Sequence, residues 1–272
     1  MSDGMKVLSA HPVSDAMRAT VLHKLSEIER EEDVRVLFAC ESGSRGWGFA
    51  SPDSDYDVRF VYVRGLSSYL TVNPIRDVIE RPVDAELDLG GWDLRKALQL
   101  MLSSNPVLLE WLRSPVVYLQ DDAVATRLRA LAEQTFSLVR GYHHYVSMAN
   151  KNLRQHLEGE TVRLKKYLYV LRPLMAARWI REHGSAPPMV FARQVEGTQL
   201  DAGVLAELNA LLAAKMRAGE AEAGSRRLVL HDFIERELAA AQAHVMTEPR
   251  KPHDRAADAL LREVVLQYDA TR

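Results

Sequence analysis

The stretch that decides the fold is Val34-Arg35-Val36-Leu37-Phe38-Ala39-Cys40, followed by Glu41-Ser42-Gly43-Ser44-Arg45-Gly46-Trp47-Gly48-Phe49-Ala50-Ser51-Pro52-Asp53-Ser54-Asp55-Tyr56-Asp57. Residues 34–40 form a β-branched and aromatic run of the kind that makes a buried strand. The glycines from Gly43 to Gly48 and the turn signals Ser51-Pro52-Asp53-Ser54 break that strand. A second strand then opens at Tyr56 and runs through Val63. Alternate residues of a strand point to one face, so Asp55 and Asp57 present two carboxylates on the same side, about 6–7 Å apart. Two such acids suit hard cations set ~3.5–4 Å apart, which stabilise the attacking and leaving oxygens of a phosphoryl displacement. Oxygen ligands with open coordination favour magnesium, with manganese the alternative. Gly43 allows a tight turn and close approach to a phosphate, whose oxygens accept from exposed N–H groups and the Ser44 hydroxyl.

Outward from this stretch, residues 15–31 read as an amphipathic helix with Ser14 or Asp15 as N-cap. Between Ile75 and Leu89 two extended runs flank Pro82, as in a hairpin at a sheet edge. Asp93 caps a helix holding Leu94, Ala97, Leu98 and Met101, and Asn105-Pro106 opens another through Leu112. Beyond that the chain reads as helix, at about 122–158, 160–183, 201–217, 227–245 and 254–268. Loops are expected at Ala218–Ser225 and Thr247–Asp254. The expected organisation is an α/β unit with a small mixed sheet over residues 1–120, then an all-helical unit over 121–272.

The arrangement Gly-Ser, ten residues, Asp-x-Asp resembles the signature of the nucleotidyltransferase superfamily typified by DNA polymerase beta. The whole stretch from Glu41 to Asp57 is similar, more specifically, to the RNA repair-associated RlaP (YcgL-like) family. Gly91-Trp92-Asp93-Leu94-Arg95-Lys96, Asn105-Pro106 with Glu110-Trp111-Leu112 and Ser114-Pro115, and Lys165-Lys166-Tyr167-Leu168-Tyr169 fit it too. The resemblance spans roughly residues 34–190. It implies a nucleotidyltransferase fold and transfer of NMP from an NTP, ATP favoured, to an acceptor hydroxyl with release of pyrophosphate. Two metal ions are expected. An RNA or tRNA end is the favoured acceptor; a protein hydroxyl and a small molecule are the alternatives, and a silent nucleotide-binding or partner-binding protein is the reading of another class.

Such enzymes carry a third carboxylate on a neighbouring strand. Asp88, between Leu87 and Leu89, is preferred; Glu86 shares its face and stays open as the alternative. Asp84 is placed at the hairpin turn, and Asp93 reads as a cap. Positive charge must oppose the phosphates. Residues 140–182 hold nine Lys or Arg against three acids, a local excess of +6 in a chain of net charge −2. On a helical wheel Lys165, Tyr169 and Arg172 share a face beside the apolar stripe Leu164, Leu168, Leu171 and Met175. This face is expected to meet the nucleotide, with Lys165 or Lys166 on the phosphates and Tyr169 near base or sugar; Arg45 is a second phosphate candidate.

Other residues have plainer readings. His143-His144 diverge by ~100° on a helix and do not suit one shared metal. Cys40 reads as a small buried hydrophobe, Trp111 and Trp179 as core, and Trp47 as either a base-stacking or a core residue. The near-neutral charge excludes a uniformly basic nucleic-acid coat protein. The single cysteine excludes a disulfide framework, and no P-loop motif is present. No apolar run of ~18–20 residues spans a bilayer and Met1-Ser2-Asp3-Gly4 opens no signal peptide, so a cytoplasmic location is expected.

Overall fold

A computed structural model of the chain describes residues 12–82, 86–218, 223–248 and 255–272. Ser14 caps the first helix: its Oγ accepts from the Met17 N–H (3.1 Å), and α1 (Asp15–Glu32) follows. The chain continues through β1 (Val34–Glu41), the helical turn α2 (Gly43–Gly46), β2 (Tyr56–Arg64), α3 (Leu66–Tyr69), β3 (Val78–Pro82) and β4 (Leu87–Asp93). Next come α4 (Leu94–Leu102), α5 (Pro106–Leu112), β5 (Val117–Gln120) and α6 (Asp122–Thr135). Then follow α7 (Leu138–His156), β6 (Thr161–Arg163), α8 (Lys165–His183), α9 (Phe191–Gly197), α10 (Ala202–Ala218), β7 (Ala223–Ser225), α11 (Leu228–Ala243) and α12 (Ala256–Thr271). The fold class is thus mixed α/β, with a helical C-terminal part.

These elements form two compact units. One, the sheet unit, comprises residues 12–43, 55–136 and 255–272; the other, the helical unit, comprises 44–54 and 137–248. The boundary differs from a cut at residue 120. Helix α6 buries Val124, Ala125, Leu128, Leu131 and Ala132 and packs on β1, α4 and α5 of the sheet unit. Helix α12, last in the chain, buries Ala257, Leu260, Val264 and Val265 and packs on β2, α3, α4 and α6. Apolar faces, not chain order, assign both helices.

The sheet has the order β3-β4-β2-β1-β5. Strands β2 and β4 are parallel, and every other neighbouring pair is antiparallel. Strand β3 is at the edge, as the position of Pro82 requires, because proline donates no ladder hydrogen bond. One sheet face buries Val58, Phe60, Tyr62, Leu87 and Leu89 together with Val21, Leu25 and Ile28 of α1. By alternation, Asp57, Arg59 and Asp88 belong to the opposite face.

Several elements depart from the sequence reading. Strand β5 falls between the helices expected through Leu112 and from about 122, where no strand was expected; Val116-Val117-Tyr118-Leu119 is β-branched and aromatic and pairs with β1. The helix expected over 122–158 is two, because Phe136 turns extended and Ser137 starts α7 by accepting from the Arg140 N–H (3.1 Å). A two-stranded ribbon of β6 and β7, and helix α9, were not anticipated. Asp84, Met1–Gly4 and parts of the loops expected at Ala218–Ser225 and Thr247–Asp254 lie outside the described residues. No described helix is long and apolar enough to cross a membrane.

Candidate active site

In the sheet unit, β2 and β4 run parallel with Asp57 directly opposite Asp88. The guanidinium of Arg59 joins them: Nη2 donates to Asp57 Oδ1 (3.2 Å) and to Asp88 Oδ2 (2.8 Å). Its Nη1 donates to the backbone carbonyls of Val58 (2.9 Å) and Asp88 (3.2 Å). All three side chains meet solvent, at 33% exposure for Asp57, 52% for Asp88 and 22% for Arg59.

Asp57 is also held from β1. Its N–H donates to Glu41 Oε1 (2.8 Å), and the other Glu41 oxygen accepts from the Tyr118 hydroxyl. The Glu41 carbonyl in turn accepts from Ser114 Oγ (2.6 Å). Glu41 is fully buried. The Asp57 carboxylate lies against Gly43, whose φ is +56°; a Cβ there would be 2.7 Å from Asp57 Cγ and would overlap Oδ2. Thus the glycine of the Gly-Ser turn and the second acid of Asp-x-Asp make one close contact that only glycine permits.

Asp55 is an exposed residue just ahead of β2, and Glu86 an exposed one just ahead of β4, its carbonyl accepting from the Tyr56 N–H (2.6 Å). The structure brings Asp57 and Asp88 together. Among the described residues, no three His, Cys, Asp or Glu side chains converge as a metal cage. A pair of carboxylates nevertheless fits magnesium, which retains waters and substrate phosphates and takes one or two protein acids. The guanidinium on both acids marks where positive charge is accepted. Asp93 is the cap of α4, accepting from the Arg95 N–H (2.8 Å) and the Tyr69 hydroxyl (2.9 Å); burial raises its pKa above the ordinary value. Cys40 is fully buried, and burial pushes its thiol pKa far up.

In the helical unit, Ser44 is buried and its carbonyl accepts from the Phe49 N–H (3.0 Å). Arg45, expected near phosphate, is buried at 7% exposure and donates to the Ser54 carbonyl (2.7 Å), so it staples its own loop. Lys215 holds the same loop: buried, it donates to Phe49 O (3.0 Å), Ser51 Oγ (3.1 Å) and Ser54 Oγ (3.3 Å). Trp47 is half-buried, with the Arg172 guanidinium 4.1 Å from its ring and Tyr169 edge-on at 6.3 Å. Lys166 Nζ stands 4.6 Å over the Tyr169 ring. The expected shared face of Lys165, Tyr169 and Arg172 is therefore not a solvated flank, because Arg172 is buried under Trp47. The stripe of Leu164, Leu168, Leu171 and Met175 is buried. His143 and His144 are exposed and lie beside Tyr142 and Tyr145, respectively.

Glu41 and Arg59 were not singled out in the sequence. Arg59 carried a signal, since the alternation that pairs Asp55 with Asp57 puts Arg59 on the same face. Glu41 carried a weaker one, an acid closing an otherwise apolar strand.

Matches from comparison with known proteins include the following. The family model of RlaP, the RNA repair pathway DNA polymerase beta family, matches residues 17–263. The uncharacterized protein YcgL of Bacillus subtilis strain 168 is 43% identical over 222 residues, 82% of this chain and 85% of that protein. A crystal structure of a nucleotidyltransferase-like protein from Exiguobacterium sibiricum 255-15 matches over 92% of this chain and 76% of that one, with 12% identity and a TM-score of 0.32. The extent of the family match and the identity to YcgL establish that this chain belongs to the RNA repair pathway DNA polymerase beta family.

Proposed function

We propose that this protein is a nucleotidyltransferase that moves NMP from an NTP, ATP favoured, to an acceptor hydroxyl, most suitably that of an RNA or tRNA end. The observation that carries this reading is the meeting of Gly43, Asp57 and Asp88: the glycine of Gly-Ser under one carboxylate, and a second carboxylate opposite it on the parallel strand. Family membership supports the reaction class, and the family's RNA repair description supports the acceptor. The +6 excess of residues 140–182 agrees with an anionic substrate.

Asp57 and Asp88 would hold magnesium or manganese, with Asp55 a further ligand. When bound, the cation would supply charge stabilisation at the phosphoryl oxygens. Glu41, through the Asp57 N–H, fixes where the Asp57 backbone stands, so the carboxylate is preorganised. Asp88, the more exposed acid, aligns the acceptor hydroxyl or takes its proton as the oxygen attacks the α-phosphorus. The bond to the bridging oxygen of the β-phosphate breaks, and pyrophosphate leaves. The Gly43-Ser44 turn offers N–H and hydroxyl donors to phosphate. Within the helical unit, Lys165 or Lys166 is the candidate source of positive charge for phosphate, and Tyr169 of an aromatic face for base or sugar.

Label transfer from α-labelled ATP, CTP, GTP and UTP with magnesium, offering total RNA and soluble protein separately, tests this reading. Label on RNA with wild type and none with Asp57→Ala is the expected result. Label on protein alone would replace the acceptor, and equal transfer by Asp57→Ala would remove Asp57 from the chemistry.

A further inference from the structure

We propose that Arg59 is the resident counter-cation of Asp57 and Asp88, occupying the place of positive charge that a divalent cation takes, and that a cation binds there by displacing its guanidinium. The proposal rests on the metal-binding role assigned above to the two acids. Three observations carry it. First, parallel register sets Asp57 and Asp88 side by side, and two carboxylates at that spacing need a compensating charge. Second, a single nitrogen, Nη2, serves both acids, at 3.2 and 2.8 Å. The paired two-nitrogen geometry that makes arginine–carboxylate pairs strong is not used with either acid, so the link is easily exchanged. Third, Nη1 has its own acceptors in the Val58 and Asp88 carbonyls, and the side chain runs over Gly90, its register partner, which has no side chain to confine it. The guanidinium can thus leave the carboxylates while remaining tethered to the backbone.

The arrangement has a consequence for ligand order. A bare divalent cation must compete with a positive charge already in place. A cation arriving with a polyphosphate brings negative charge that compensates the freed guanidinium. Arg59 therefore couples metal binding to nucleotide binding and keeps the acids neutralised between turnovers.

Binding of Mn2+ without nucleotide, followed by the loss of the free-ion electron paramagnetic resonance signal, reads this directly. Arg59→Met is expected to bind Mn2+ on the order of tenfold more tightly than wild type, as removal of a competing unit charge at this range predicts. Arg59→Lys, which keeps the charge, is expected to stay near wild type. Thermal unfolding should show a larger Mn2+-induced rise for Arg59→Met than for wild type. Should Arg59→Met fail to fold, Arg59→Gln retains N–H donors for the two carbonyls and carries the same expectation. Equal or weaker Mn2+ binding by a folded, neutral variant would overturn the counter-cation role and leave the metal reading standing. Absence of binding by wild type and variants alike would overturn both.

Discussion

Gly43 shows how much a single residue decides. Its φ of +56° lies where side chains are strained, and its Cα faces the Asp57 carboxylate. Gly43→Ala would add backbone strain of about 1–2 kcal/mol and displace the Asp57 carboxylate from its place. The expected outcome is a lower urea midpoint together with loss of label transfer; an unchanged midpoint with full transfer would contradict it. Asp57→Ala should behave differently. Its ion pair with Arg59 is one-third exposed, and such pairs contribute only about 0–1 kcal/mol. Transfer should vanish while the urea midpoint hardly moves. The Gly-Ser and Asp-x-Asp residues were legible because spacing and residue type carry them, and Asp88 was legible by its apolar–acid–apolar setting. Arg45 reads as a phosphate candidate and Arg172 as part of the helix face that meets the nucleotide, yet one staples a loop and the other lies under Trp47. Nothing in a charge pattern tells a buried cation from an exposed one, because burial depends on what packs over it.

Elements meet around Glu41, which ends β1, accepts from the backbone of β2 at Asp57 and accepts from Tyr118 on β5. Removing a fully buried acceptor leaves both donors unsatisfied, so Glu41→Ala should cost about 2–4 kcal/mol by urea denaturation. Glu41→Gln keeps an acceptor for the Asp57 N–H and should cost less than about 1 kcal/mol. Equal losses for both would show that packing rather than hydrogen bonding sets the cost. The start of α4 predicts a pH effect. Burial raises the Asp93 pKa in the folded state above the 3.8 of an unperturbed aspartate. The native state then binds its proton more tightly than the unfolded state, so this contribution is complete below that value and declines as pH rises through the raised pKa. Asp93→Asn can still cap the helix but does not titrate. Unfolding free energies measured from acid to neutral pH should therefore shift in favour of the variant as pH rises; a difference independent of pH would refute the linkage. Capped helices α1, α4 and α5 were legible at this scale, since Ser14, Asp93 and Asn105 are local signals. Strand β5 was obscured because a four-residue run has too little periodicity to outweigh long helical neighbours.

For the whole molecule, chain order and spatial grouping part company at α12. Asp269 on this helix accepts from the Leu66 N–H (3.0 Å), Glu263 pairs with Arg127 (2.7 Å), and Arg272 pairs with Asp33. Leu260, Val264 and Val265 are buried with it. Ending the chain before residue 255 would expose three large apolar side chains' worth of surface, a loss of roughly 4–6 kcal/mol as an upper estimate. The unit that carries Asp57 and Asp88 should then unfold at markedly lower urea. A truncated chain as stable as the full one would show that α12 is dispensable to the sheet unit.

The sequence by itself determined the strand–turn–strand core, the acids it carries, the capped helices and the resemblance that placed the chain in its family. These rest on local chemistry: side-chain alternation, cap residues, glycine where φ is positive. Only the tertiary structure decided that Asp88 faces Asp57, that Arg59 lies on both, that Glu41 is buried beneath them and that α6 and α12 belong with the sheet. Each depends on strand register or helix packing between segments far apart in the chain, and a linear pattern does not encode which apolar face meets which.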